Sequence, residues 1–339
     1  MHSSQKKIAL LTYGSRGDVE PFLALASGLI AAGYQVRVAG PAPFAPLAGE
    51  FGIPYDSIPG NPAELARFFA ETAGSNYLKM VSGMVSHVLP LAKTAFEVVR
   101  ESVKSSDLII HSFLMMDAGH TFARSQGIPD ISAQLFPIFL PTRNFPSIGF
   151  PKAKLGGGYN LFSHHVNNFV FSQGARLLFR KLRSNNPDWP ELAPWPFKNT
   201  QKTILPVLFG FSSQVVPRPS DWPEIAHITG YWKLPPSKAW EPPRDLVGFL
   251  QNGTPPAFYS PGSMRSGEIR HIVNDLISCA RKHHYRVILT LDEELIPANI
   301  KGEDIYFATE IPHAWLFPQT SVIIHHGGAG TTGAAIMAG

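Results

Sequence analysis

Short apolar runs alternate with amphipathic stretches from the start of the chain. Lys7 to Tyr13 reads as a short buried strand and Gly14-Ser15-Arg16-Gly17-Asp18 as a turn. Val19 to Ala32 carries Phe22, Leu25, Ala26 and Leu29 at helical spacing, and Gly33 ends it. Gln35 to Ala39 is the next strand, which completes a β-loop-α-β unit and predicts a parallel, doubly wound sheet. The alternation continues with a mostly helical 62–104, a strand at Leu108 to His111, a helix at Ala118 to Gln126 and a strand at Ile131 to Gln134. Leu205 to Phe211 is a further strand or an irregular segment.

Residues 233–243 hold the pairs Pro235-Pro236 and Pro242-Pro243 and form the best linker candidate, placed at 236–243, because such a stretch is stiff and extended. Past it the pattern restarts. Strands are expected at Ala257 to Ser260, Arg286 to Leu291, Ile305 to Ala308 and Val322 to His325, with helices at Gly267 to Lys282 and His313 to Phe317. The fold expected is therefore α/β, with a first domain over 1–235 and a second over 244–339. Two such domains would face a cleft at their strand ends, where open α/β sheets bind ligands.

With 339 residues, 44% of them apolar, the chain is long enough for two cores. A net charge of only +4 does not suggest a general nucleic-acid binder. The single Cys279 excludes an internal disulfide framework and fits a reducing, cytoplasmic setting. No apolar run approaches the ~18 residues of a spanning helix, and Ile8 to Leu11 is too short for a signal peptide.

The strongest chemical signal is Val322-Ile-Ile-His325-His326-Gly327-Gly328-Ala329-Gly330-Thr331-Thr332. A strand runs into a glycine loop and then into a helix start. Bare glycine N–H groups, threonine hydroxyls, an imidazole and a helix N-terminus suit a diphosphate. The loop lacks the lysine of a nucleotide-hydrolase P-loop, and a metal site would need further ligands at set spacings. Tyr259-Ser-Pro-Gly-Ser263-Met is either an ordinary turn or a second diphosphate contact through Ser263. In the first turn, Asp18 is either a helix cap or a carboxylate that takes a proton from an attacking hydroxyl, with Ser15 positioning substrate or steadying the carboxylate. That turn is not the G-x-G-x-x-G of a nicotinamide-dinucleotide site.

Taken together, Gly-Ser-Arg-Gly-Asp-Val-Glu-Pro, Gly-Ser-Met and His-His-Gly-Gly-Ala-Gly-Thr-Thr resemble the GT-B glycosyltransferases, and most of all the sterol glucosyltransferases and related antibiotic glycosyltransferases. Val216-Pro-Arg-Pro-Ser-Asp-Trp-Pro, Thr229-Gly-Tyr-Trp232 and Pro312-His-Ala-Trp-Leu-Phe-Pro318 are similar to the sterol branch. The resemblance implies inverting transfer of a hexose, usually glucose from UDP-glucose, to a hydroxyl of a sterol, lipid or other apolar natural product. It implies Asp18 as the base, His325, Gly327, Gly328, Gly330, Thr331 and Ser263 as diphosphate contacts, and His313 and Trp315 on the nucleoside side. A UDP-sugar is then a co-substrate; no cofactor and no metal are required. Family members continue past the His-His-Gly-Gly loop, so the chain is expected to be C-terminally truncated, its second domain incomplete and its activity reduced or absent.

Phe136, Phe139, Phe145 and Phe150 suggest an apolar acceptor, with Phe136 and Phe139 as its contacts, or are plain core. Residues 151–187 hold Lys152, Lys154, Arg176, Arg180, Lys181 and Arg183 and no acidic residue. Phe162, Val166, Phe169, Val170, Leu177 and Leu178 recur there at roughly helical spacing, which reads as a helix packed on the first domain or as a basic segment on a peripheral membrane surface. Two rival readings stand beside transfer: a non-catalytic nucleotide- or lipid-binding fragment, and a sugar-nucleotide epimerase.

Overall fold

The computed structural model describes residues 5–62, 91–184, 186–198, 202–235, 240–262, 269–291, 295–296 and 302–339. The chain divides into two compact units, one ending at Leu234 and the other beginning at Pro235.

The first unit is built on a seven-stranded sheet. Its strands are β1 (Lys7–Leu11), β2 (Gln35–Pro41), β3 (Tyr55–Ile58), β4 (Leu108–His111), β5 (Asp130–Gln134), β6 (Val207–Phe209) and β7 (Ala226–Ile228). They run parallel in the order β3-β2-β1-β4-β5-β6-β7. Helices α1 (Arg16–Ala31), α2 (Ala45–Glu50), α3 (Met116–Gln126) and α4 (Gly156–Ser184) connect them, with a further helical stretch over 91–103. Both faces of the sheet are covered, as an all-parallel sheet requires. Ala9, Leu11 and Ile109 pack with Phe96, Phe122 and Trp189 on one side, while Leu10, Val38 and Ile110 pack with Phe22, Leu23 and Ala26 of α1 on the other. Strand β1 is central. Leu11 stands beside Ala39 on one flank and His111 on the other. The chain winds one way from β1 through β2 and β3, and the other way from β4 onward, so the switch point lies between the carboxyl ends of β1 and β4.

The second unit has α5 (Arg244–Gln251), β8 (Ala257–Ser260), α6 (Ile269–Lys282), β9 (Val287–Thr290), β10 (Ile305–Ala308), α7 (His313–Leu316), β11 (Val322–His325) and α8 (Ala329–Ala338). Its sheet is parallel in the order β10-β9-β8-β11, which puts its switch point between β8 and β11. Phe258, Ile288, Leu316 and Phe317 fill one face, and Ile269, Val273, Ile277 and Leu289 the other. Strand β11 is an edge, and Val322 and Ile324 on it are exposed.

Several expectations change. Strands β3 and β7 and helices α2 and α5 were not expected. Helix α1 starts at Arg16 and not at Val19, because Ser15 is its N-cap; Asp18 is the third helical residue, not the cap. The upstream part of the expected 62–104 helical region and the middle of the proposed linker lie outside the described residues. The largest difference is α4. Three of the six apolar residues noted there point outward: Phe162, Phe169 and Leu177 are 62, 64 and 63% exposed. From Ser163 to Ser172 its buried face is instead polar, with Ser163, His164, Asn167, Asn168 and Ser172, and it turns apolar only at Ala175, Phe179 and Leu182.

That polar face has a local cause. The chain between β5 and α4 is irregular, and its backbone groups need partners. Asn168 Nδ2 donates to the carbonyls of Phe139 (2.7 Å) and Phe197 (2.9 Å). Ser163 Oγ accepts from the Ser147 N–H at 2.7 Å, and the His164 ring pairs with the Phe145 carbonyl at 3.1 Å. On the same loop, Asp221 accepts from Thr142 Oγ1 and the Arg143 N–H, both at 2.7 Å. The Val216–Pro223 motif is thus a brace for the loop after β5, with Trp222 stacked on Phe209 at 4.4 Å.

Candidate active site

In the first unit the carboxyl end of β1 leads through Gly14 into α1. Gly14 has φ 134°, a left-handed value that favours glycine, and a Cβ there would strike the Asp18 carboxylate. This close turn brings Asp18 back over the strand end, where Thr12 Oγ1 donates to its carbonyl at 2.9 Å. Asp18 Oδ2 accepts two hydrogen bonds from Ser15, from the backbone N–H at 2.8 Å and from Oγ at 2.9 Å. The backbone bond is half of a capping box. Of the two roles open for Ser15, the geometry shows it steadying the carboxylate. Among the described residues no donor reaches Asp18 Oδ1. Burial pushes the Asp18 carboxyl above the ordinary range, and the two Ser15 hydrogen bonds offset this only in part. A carboxylate fixed through one oxygen, with the other unpaired and with raised basicity, is suited to accept a proton.

Beside it, at the carboxyl end of β4, lies a buried polar cluster that sequence reading missed. Asp130 Oδ2 pairs with His111 Nε2 and His120 Nδ1, both at 2.9 Å. Burial alone would raise Asp130, but the two imidazoles outweigh it and hold the carboxyl below the usual range. Asp117, in the first turn of α3, is pushed up to about 7 by burial, partly countered by His120. The only sequence signal was the three-residue spacing of Asp117 and His120, which puts both on one side of α3. Among the described residues, no group of three or more His, Cys, Asp or Glu is arranged to hold a metal ion.

The two expected acceptor phenylalanines part company. Phe136, just past β5, is half-buried and meets Phe113, just past β4, edge to face at 5.1 Å. Both stand at the carboxyl edge of the sheet. Phe139 has φ 66° and no exposure. Its ring is enclosed by Phe171, Trp195 and Phe197 at 5.1, 5.1 and 5.7 Å, so it is a core residue rather than an acceptor contact.

In the second unit, β11 sets His325 beside Ser260 of β8, so the loops after these two strands meet. The His326 ring lies between Gly262 and Gly328: a Cβ on either glycine would run into it. Gly262 (φ 64°) and Gly327 (φ 84°) are both left-handed. The Gly327 N–H donates to His325 Nδ1 at 3.2 Å, and helix α8 follows with Gly328 as N-cap. Its first-turn N–H groups, which include Gly330 and Thr331, have no partner within the helix. Burial and the neighbouring His325 both lower the His326 pKa, so this ring stays neutral near pH 7. The glycine loop thus offers N–H donors, the end of a ten-residue helix and the His326 imidazole, at a switch point. Ser263 lies outside the described residues, although Gly262 before it touches His326. His313 stacks on Phe317 at 4.4 Å, and Trp315 meets Trp240 at 5.1 Å, so both contribute to packing on the β8 side of this sheet.

Comparison with known proteins agrees with this layout. Residues 8–119 match the glycosyltransferase family 28 N-terminal domain. A sterol 3-beta-glucosyltransferase of Aspergillus terreus is 33% identical over 352 aligned residues, covering 98% of this chain and 24% of that protein. The chain therefore spans about a quarter of the length of such relatives. Among solved structures, the glycosyltransferase SnogD from Streptomyces nogalater aligns with a TM-score of 0.65 at 18% identity, covering 99% of this chain and 79% of that one. The glycosyltransferase VinC, solved in complex with dTDP, aligns at 0.61 and 15% identity over 97% and 78%. At these identities the structural likeness carries the fold alone.

Proposed function

We propose that the chain, which has the GT-B fold and a glycosyltransferase family 28 N-terminal domain over residues 8–119, forms the reactive part of an inverting enzyme that moves a hexose from a nucleoside-diphosphate sugar to a hydroxyl of an apolar acceptor. The observation that carries this reading is that each unit has its own site of different chemistry at its switch point. One unit presents a basic carboxylate, the other an anion-binding loop. Asp18 accepts the proton of the acceptor hydroxyl as that oxygen attacks the anomeric carbon. The bond from that carbon to the diphosphate breaks, and the negative charge growing on the leaving group meets the N–H groups of the His325–Thr331 loop and the end of α8. Uncharged donors of this kind stabilise an anion without requiring a metal ion.

UDP-glucose is the donor we infer, and a sterol or comparable lipid the acceptor. The sterol glucosyltransferase relative supports the glucose and the sterol, the dTDP bound to VinC supports a nucleotide donor, and Phe113 and Phe136 supply an apolar surface at the carboxyl edge of the sheet that also carries Asp18. A peripheral membrane surface over residues 151–187 belongs to the same reading and is developed below.

The test is product analysis after incubation with UDP-glucose and ergosterol or cholesterol. Equal amounts of UDP and a hexosylated sterol support transfer. An isomerised UDP-sugar without free UDP would instead show an epimerase, and unchanged substrates with measurable UDP binding a non-catalytic binding protein.

A further inference from the structure

We propose that the outward face of α4 docks on an anionic lipid bilayer. A soluble helix ordinarily turns its apolar stripe inward, and large exposed apolar patches mark contact surfaces. Here three large apolar side chains face outward. Phe162 and Phe169 are two helical turns apart on one side, Leu177 continues the line, and Leu155 lies just before the helix; all four are 62–69% exposed. The inner side of the helix cannot exchange with it, because Ser163, His164 and Asn168 are committed to the loop carbonyls and N–H groups described above. The outward face is therefore a fixed feature of the fold.

Charge selects the occupant. Downstream of the phenylalanines the same face carries Arg176 and Arg180, with Lys181 beside them, all exposed. Among the described residues no carboxylate pairs with these three. Arg183 alone is engaged, with Glu191 at 2.9 Å. Lys152 and Lys154 add exposed cations upstream of the helix, and 151–187 contains no Asp or Glu. Apolar side chains that enter the acyl boundary, flanked by unpaired cations at headgroup level, suit an interface rich in anionic phospholipid. A second copy of this chain would set two unpaired cationic clusters against each other. Among the described residues no helix is long and apolar enough to cross a membrane, so the contact is peripheral. The proposal rests on this surface alone, so a chain that transfers no sugar would still dock.

Flotation of the whole chain with vesicles tests it, using phosphatidylcholine alone and phosphatidylcholine mixed with phosphatidylserine. The chain should float with the mixed vesicles only, and less so as salt rises. Arg176→Glu with Arg180→Glu should lower partitioning on the order of twenty-five-fold or more, from about fivefold per cation removed. Phe162→Asp with Phe169→Asp should abolish it, while Arg176→Lys with Arg180→Lys, which keeps the charge, should float like the native chain. Thermal melts of all variants should match the native one, since the substituted side chains are exposed. Flotation equal on both vesicle types, absent from both, or unchanged in the Glu and Asp variants would overturn the proposal. So would a concentration-dependent dimer in sedimentation that Phe162→Asp dissolves, which would make this face a contact between copies.

Discussion

Replacing Gly262 by alanine probes the donor loop at its tightest point. Gly262 has φ 64°, and an L side chain in that region costs about 1–2 kcal/mol. The added methyl would also lie 2.8 Å from His326 Nε2 and closer still to the rest of the ring edge. The ring cannot retreat freely, because Gly328 closes its other side. Overpacking of this kind adds about 1–3 kcal/mol, so the loop should be strained by roughly 2–5 kcal/mol in total. If the diphosphate is held by this loop, relief of that strain by loop displacement weakens nucleotide binding. Since about 1.4 kcal/mol is a tenfold change, UDP affinity should fall at least about tenfold in calorimetric titration. Gly248→Ala is the control: it lies in α5 of the same unit with open space around it and should leave UDP affinity unchanged. If Gly262→Ala binds UDP like the native chain while its melt shows the strain, the anion-site reasoning for this loop is wrong.

Asp130→Ala should destabilise the first unit by about 3–6 kcal/mol in urea denaturation, because two hydrogen bonds to a buried carboxylate are lost at about 1.5–3 kcal/mol each. The folded pKa of Asp130 is depressed, so this contribution is complete above the ordinary aspartate value of about 3.9 and is lost as pH falls through the lower folded value. The gap between native and variant should therefore narrow only in strong acid, and a loss under about 1 kcal/mol at neutral pH would show that the cluster is not an ionic one. For Asp18 the sign is reversed. Its pKa is raised, so the acid limb of kcat/KM should lie above the ordinary aspartate value, and an acid limb at or below that value would contradict the base assignment.

Much of the framework was legible in the chain. The strands ending at His111, Ser260 and His325 were read at their observed bounds because each is a short unbroken apolar run, although only the first two are buried and β11 is a partly exposed edge. Strand β7, Ala226–Ile228, has three residues, too few for any periodicity to show. The start of α1 was placed late because Arg16, Gly17 and Asp18 have no apolar signal; Ser15, with a carboxylate three residues later, was the cue. The direction of the α4 stripe was left open because periodicity locates a stripe but not the way it faces. Only the loop carbonyls, distant in sequence, explain why Asn168 is buried and Phe169 is not. Phe139 and Phe136 were indistinguishable as aromatics in one loop, and the left-handed backbone at Phe139 that turns it into the core leaves no trace in composition. The His111–Asp130–His120 cluster joins residues ten and nineteen positions apart, and only the β4–β5 pairing and the packing of α3 on those strands make them neighbours.

The division of labour between the two sites is tested most directly by Asp18→Asn, with UDP affinity and sugar-transfer turnover measured on the same preparation. Asparagine keeps an oxygen for the Ser15 contacts but cannot take a proton. The account predicts that turnover falls by the 100- to 10,000-fold typical of a lost general base, as an order of magnitude, while UDP affinity stays at the native value. Turnover that survives in Asp18→Asn, or UDP affinity that falls along with it, would contradict the account and leave Asp18 a structural element of the first turn of α1.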